Sequence, residues 1–158
     1  MAAKTVYIET SIVSYLTARP TGDLVAAAWQ KATLDWWDTQ RGRFALFVSD
    51  VVIEEAGKGD AEAAARRLEA LVGIPLLRIT DNVVSLSKAL MLAGAVPERA
   101  LGDSLHIAVS AAHGIDYLLT WNCRPRIIHQ RSGASTQNYP VFSHRFAFCQ
   151  LNSASPNR

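Results

Sequence analysis

A chain of 158 residues with 49% apolar residues and a mean hydropathy of +0.08 has the makeup of one globular domain, long enough to bury a core without disulfides or a structural metal. Cys123 and Cys149 are too few for a disulfide framework or a zinc site and read as free thiols in a reducing cytoplasm; no apolar run is long enough to span a membrane, and no secretory signal opens the chain. The net charge of +2 hides an asymmetry, because all fourteen acidic residues lie within 1–116, whereas 117–158 hold five Arg and no acid, an end that either touches phosphates or is a solvated tail.

Strand and helix signals alternate along the chain, which predicts parallel βαβ units. The first strand is about 5–9, and a short helix from Ser11 stops near Arg19-Pro20-Thr21-Gly22. Asp23 reads as the N-cap of a helix running to Trp37. Gly42 breaks it, and 44–49 is the second strand. Asp50 is expected to cap a short helix ended by Gly57-Lys58-Gly59, and Asp60 to cap the next, 61–72. Leu76-Leu77-Arg78-Ile79 is the third strand. Thr80 caps a helix closed by Gly94, with Pro97 in the connection beyond it. The helix 103–113 ends at Gly114, and 117–120 is the fourth strand. After Asn122 the pattern decays: 140–142 and 146–148 are short strand candidates, 124–138 has no period, and 152–158 reads as disordered.

Acidic residues sit just past the ends of these apolar runs. Glu9 follows the first strand, Glu54 and Glu55 ride the short helix after the second, and Asp103 opens an apolar helix. Asn122 follows the fourth strand. In an open parallel sheet, ligands bind beyond the carboxyl ends of the strands, so carboxylates delivered there by separate segments converge. Carboxylates packed together repel and raise one another's pKa, and a hard divalent cation with oxygen ligands relieves the repulsion. The residues therefore point to a Mg²⁺ or Mn²⁺ site suited to phosphodiester hydrolysis, in which a cation lowers the pKa of a water and neutralises phosphate charge.

Tyr7-Ile8-Glu9-Thr10-Ser11, the run from Val48 to Glu55, Asp103-Ser104-Leu105-His106-Ile107-Ala108, and Leu118-Leu119-Thr120-Trp121-Asn122 resemble, in order, the four motifs of PIN-domain proteins. The likeness spans roughly residues 5–124 and is nearest to the VapC-type toxins of bacterial toxin–antitoxin pairs. It implies a three-layer α/β/α PIN-like fold with a mostly parallel sheet of four to five strands, a nuclease domain over 1–123, and a divergent, partly disordered segment over 124–158. It further implies a metal-dependent endoribonuclease acting on RNA, a cognate antitoxin protein, a homodimer and a cytoplasmic location. By position, Glu9, Glu55 and Asp103 match the family's metal-binding acids, although Asp is usual where Glu9 stands. Asn122 matches the fourth motif; it keeps the oxygen of an acid but not the charge, and so suits orienting a water.

Each residue has a plainer reading. Glu9 can be an exposed strand-end acid, Glu54 and Glu55 solvated helix charges, Asp103 an N-cap, and Asn122 a turn residue. Thr10 and Ser11 read first as helix caps, with hydrogen bonding to the site as the alternative. His106, one turn after Asp103, reads first as a satisfied, partly buried histidine, and the four tryptophans as core or interface. Two other functions compete. A phosphotransfer domain also places acids at strand ends, but it needs a nucleophilic Asp and a strand-end Lys that are missing here. A catalytically weakened PIN-like scaffold, binding RNA or protein, fits the Glu at position 9 and the Asn at 122.

Overall fold

A computed structural model describes residues 2–96 and 100–122. Within them four strands form one parallel sheet in the order β3-β2-β1-β4. The strands are β1 (Lys4–Ile8), β2 (Phe44–Ser49), β3 (Leu76–Leu77) and β4 (Tyr117–Leu119). Six α-helices flank the sheet: α1 (Thr10–Thr17), α2 (Leu24–Thr39), α3 (Asp50–Ala56), α4 (Ala61–Leu71), α5 (Asp81–Leu92) and α6 (Leu101–Ala112). These are the parallel βαβ units that the alternation of strand and helix signals predicts, in the α/β/α architecture that the family resemblance implies. The strand expectations at 140–142 and 146–148, the connection at Pro97 and the divergent segment 124–158 lie outside the described residues.

The central strand carries the core. Val6, Tyr7 and Ile8 are all buried, which is the continuous apolar run expected of a parallel strand covered on both faces. Val48, Val52, Val83, Val109, Leu118 and Leu119 join them. Register is set by Val6, which sits opposite Leu46 on one side and Tyr117 on the other. The N-terminal end of the sheet is tied down separately. Asp116 accepts hydrogen bonds from the Thr5 backbone N–H and hydroxyl at 2.9 Å each and pairs with Lys4.

Several boundaries differ from the sequence expectation for local reasons. The third strand is only Leu76–Leu77, because the Arg78 carbonyl turns away to His113 Nε2, 2.9 Å distant. Such a short strand leaves little unpaired edge. Asp50 is the first helical residue rather than the cap; Ser49 occupies the N-cap position, and its hydroxyl faces Tyr7 instead of the helix. α6 begins at Leu101, two residues before Asp103, so that acid lies inside the first turn, where it still complements the helix dipole. Asp23, Asp60 and Thr80 each accept backbone hydrogen bonds as N-caps, as the sequence predicts. Gly94 and Gly114 follow their helices with φ of 67° and 65°, a left-handed turn that favours glycine.

Strand order positions the functional crevice. The chain enters at β1 in the middle of the sheet, builds outward to β2 and β3, then returns to the other side of β1 as β4. The direction of winding thus reverses between β1 and β4, and it is beyond the carboxyl ends of such strands that a crevice opens.

Candidate functional site

Glu9 follows the last residue of β1 and is 4% exposed, a carboxylate that needs partners to be stable there. Its Oε2 accepts hydrogen bonds from the hydroxyls of Ser11 and of Thr120, the latter at 2.8 Å. Glu55, on α3, is held through its own Oε2 by the Thr10 hydroxyl and by His106 Nε2 at 3.0 Å. Among the described residues, the hydrogen bonds to both carboxylates fall on Oε2. Glu54 points away to solvent and pairs with Lys58 one turn on. Adjacent residues on a helix diverge by about 100°, so only one of the two can face the crevice.

His106 is the residue that sequence reasoning underrated. It is buried and satisfied, as the plain reading expects, but its ring joins the two acids. Nε2 stands 3.0 Å from Glu55 and 3.7 Å from Glu9 Oε1, while Nδ1 is 2.7 Å from the Tyr7 hydroxyl. The Tyr7 hydroxyl lies 2.7 Å from Ser49 Oγ in turn. Burial pushes the Tyr7 phenol well above its ordinary pKa, against the hydrogen bond from Ser49, and the charges of Glu9 and Glu55 push it further. It therefore serves the imidazole as a neutral hydroxyl.

The expectation that clustered acids raise one another's pKa does not hold for Glu55. Burial acts in that direction, but hydrogen bonds from His106 and Thr10, together with the His106 and Lys58 charges, outweigh it, and the carboxyl is held below its ordinary value. The hydroxyls of Thr10 and Ser11 belong to the site rather than to the helix end. The N-cap position of α1 is Glu9, which makes no side-chain cap, and both hydroxyls are spent on carboxylates.

Asp103 and Asn122 lie together at the rim. Asn122 Nδ2 donates to Asp103 Oδ1 at 3.4 Å, a long bond, in an exposed setting. The groups of three among the described residues that bring His, Cys, Asp or Glu ligand atoms within 4.8 Å of one another reduce to Glu9, Glu55 and His106. Two of the three acids named from the sequence are thus brought together with a histidine, whereas Asp103 is not part of that group and contacts Asn122. The aromatic residues read as core divide into two groups. Trp36 and Trp37 are buried, and Trp29 and Trp121 stack on each other beside the site, with ring centroids 5.0 Å apart.

A parallel sheet with a carboxylate corner at its switch point defines an α/β protein with an acidic crevice that could hold a metal ion. The family is specific: the PIN domain signature matches residues 6–124, and this chain belongs to the PIN-domain family. Solved structures that share the fold include two toxin–antitoxin proteins. VapC20 of Mycobacterium tuberculosis, a toxin that cleaves the sarcin-ricin loop, is 16% identical, with a TM-score of 0.55 over 72% of this chain and 86% of its own. VapBC2 of Rickettsia felis, bound to a DNA fragment of its promoter, is 13% identical, with a TM-score of 0.51 over 73% of this chain and 86% of its own. No curated protein sequence matches the chain. No helix of the described residues is long and apolar enough to cross a membrane.

Proposed function

We propose that this protein is a divalent-cation-dependent endoribonuclease, the toxin of a toxin–antitoxin pair, acting on RNA in the cytoplasm. One observation carries the reading. Two carboxylates and an imidazole, all within 4.8 Å, occupy the switch point of a PIN-domain sheet. The family membership and the likeness in fold to VapC20, a sarcin-ricin loop cleaving toxin, support it.

The donor set suits Mg²⁺ or Mn²⁺. Glu9 and Glu55 would hold the ion through oxygens, with Asp103 adding a third carboxylate from the rim, and hard cations take oxygen ligands. Such an ion supplies polarisation of the scissile phosphate and a lowered pKa for the attacking water. The chain's own residues do the positioning. Ser11 and Thr120 fix Glu9, and Thr10 and His106 fix Glu55, so neither carboxylate has to be ordered when substrate arrives. Asn122 steadies Asp103 and turns an amide toward the crevice where a fourth acid would add charge.

A nuclease of this kind requires restraint in the cell that makes it. The proposal includes a cognate antitoxin that presents a basic side chain, Arg, to the carboxylate corner, and a homodimeric toxin. The test is incubation of the purified protein with total RNA in EDTA, Mg²⁺ or Mn²⁺, followed by mapping of cut ends. Discrete ends that require the cation, and that vanish with Glu9→Gln, are expected. Cleavage that persists in EDTA contradicts the cation requirement, and no cleavage in any cation favours instead the weakened scaffold that binds RNA or protein.

A further inference from the structure

The Glu9 carboxylate is held by two matching relays that start from the backbone just past β4. The Trp121 backbone N–H donates to Ser11 Oγ at 2.9 Å, and Ser11 donates to Glu9 Oε2. The Asn122 backbone N–H donates to Thr120 Oγ1 at 2.9 Å, and Thr120 donates to the same Glu9 oxygen at 2.8 Å. Both hydroxyls accept from an amide and donate to a carboxylate, an arrangement in which each bond polarises the next. Their geometry depends on where the chain runs as it leaves β4. Both amides lie beyond Leu119, the last residue of β4.

The Trp121 side chain ties this exit to α2. Its indole Nε1–H donates to Thr33 Oγ1 at 2.8 Å, and the buried Thr33 hydroxyl donates onward to the Trp29 carbonyl at 2.7 Å. The indole also stacks on Trp29, with 10° between the ring planes, and meets Tyr15 edge-on at 6.1 Å. α2 thereby grips the strand exit through one side chain. We infer that Trp121 is a positioning residue of the site: anchored to α2 through Thr33 and Trp29, it holds the two amides that orient Glu9 toward the cation. The inference rests on the cation-site reading above and adds to it that ordering of Glu9 is set from α2, outside the acidic crevice.

The experiment uses the full chain and three variants. Thr33→Val keeps the shape of the side chain and removes the indole's acceptor. Trp121→Phe keeps a ring for stacking and removes the donor. Thr33→Ser keeps the hydroxyl. Mn²⁺ affinity is read from the electron paramagnetic resonance of free Mn²⁺, and the Trp121 amide from its hydrogen exchange. Removing a partner behind a metal ligand costs of order tenfold in affinity. Thr33→Val and Trp121→Phe should both weaken Mn²⁺ binding by about that factor and speed exchange of the residue-121 amide, with Thr33→Ser close to the wild type in both readouts. Should Trp121→Phe fail to fold, the two Thr33 variants carry the comparison. Wild-type Mn²⁺ affinity and amide protection in Thr33→Val, with the damage confined to the melting temperature, makes Trp121 a packing residue and overturns the inference alone. A wild-type protein that binds no Mn²⁺ overturns the cation-site reading and this inference with it.

Discussion

The inner corner and the rim of the crevice are held to very different degrees. Glu9 and Glu55 sit among four donors, Ser11, Thr120, Thr10 and His106, and the histidine is braced in turn by Tyr7 and Ser49. Asp103 and Asn122 share one 3.4 Å contact in an exposed setting. The inner corner is built before a ligand arrives, whereas the rim still has side-chain freedom to lose. Since ordering a side chain costs entropy, the corner should dominate cation affinity and the rim should adjust to substrate.

The largest effect that would break this contrast lies at the corner. Glu9→Gln and Glu55→Gln should each lower cleavage by about a thousandfold or more, equivalent to about 4 kcal/mol of barrier. Glu54→Gln, which disturbs only an exposed pair with Lys58, should stay within about twofold of the wild type. Rate measurements in saturating Mn²⁺ read both. Equal losses from Glu54→Gln and Glu55→Gln would mean that α3 presents a different face to the crevice.

His106→Gln should rank next. Loss of a group that orients a ligand carboxylate is expected to lower activity by about 10- to 100-fold. Because the buried Tyr7 hydroxyl also loses its imidazole partner, stability should fall by about 1–3 kcal/mol, read from denaturant unfolding. Normal activity in a destabilised protein would make His106 purely structural.

Gly102 offers a smaller and sharper test. A Cβ at this position would lie 3.0 Å from Glu55 Oε1, so the carboxylate has to give by a few tenths of an ångström. Alanine is also a better helix former than glycine by about 0.5–1 kcal/mol. Gly102→Ala should therefore raise the melting temperature of the metal-free protein while weakening Mn²⁺ binding. Parallel movement of the two quantities would contradict the close approach.

The N-terminal end of the sheet provides the weakest effect, as a control far from the crevice. The Asp116 carboxyl is held down to about 2 by the Thr5 backbone N–H first and by Lys4 second. A depressed carboxyl pKa stabilises the fold fully above about pH 4, the unfolded value, and that contribution is lost as pH falls through about 2. The side chain is 34% exposed and its pair is screened by solvent, so Asp116→Asn should cost no more than about 1 kcal/mol at pH 7. Acid unfolding shifted upward in pH, with cleavage unchanged, is expected.

The legible parts of this molecule were those that local chemistry dictates. The caps at Asp23, Asp60 and Thr80 and the apolar runs of β1 and β2 are properties of a few neighbouring residues. Helical geometry adds that only one of Glu54 and Glu55 can face the crevice, while the choice of Glu55 came from its position in the motif that resembles the family's. What lay beyond the sequence is what depends on contacts between distant segments. Thr10 and Ser11 look like caps until Glu55 and Glu9 are placed beside them, and Thr120 reaches Glu9 across 111 positions of sequence. His106 did leave a signal: it lies three residues after Asp103 on α6, hence on a neighbouring face one turn further on. Nothing local says that its second nitrogen meets the phenol of Tyr7. Nor does the motif position of Asp103 carry any information about how tightly its side chain is held, which in the structure is by one long contact with Asn122.

The central claim is that a divalent cation belongs at the corner formed by Glu9 and Glu55. Diffraction from crystals of the protein grown with Mn²⁺, collected at the manganese absorption edge, tests it directly. The account predicts an anomalous peak within ligand distance of both glutamate carboxylates, lost in Glu9→Gln. A peak held by Asp103 and Asn122 alone, or no peak at saturating Mn²⁺, would contradict it.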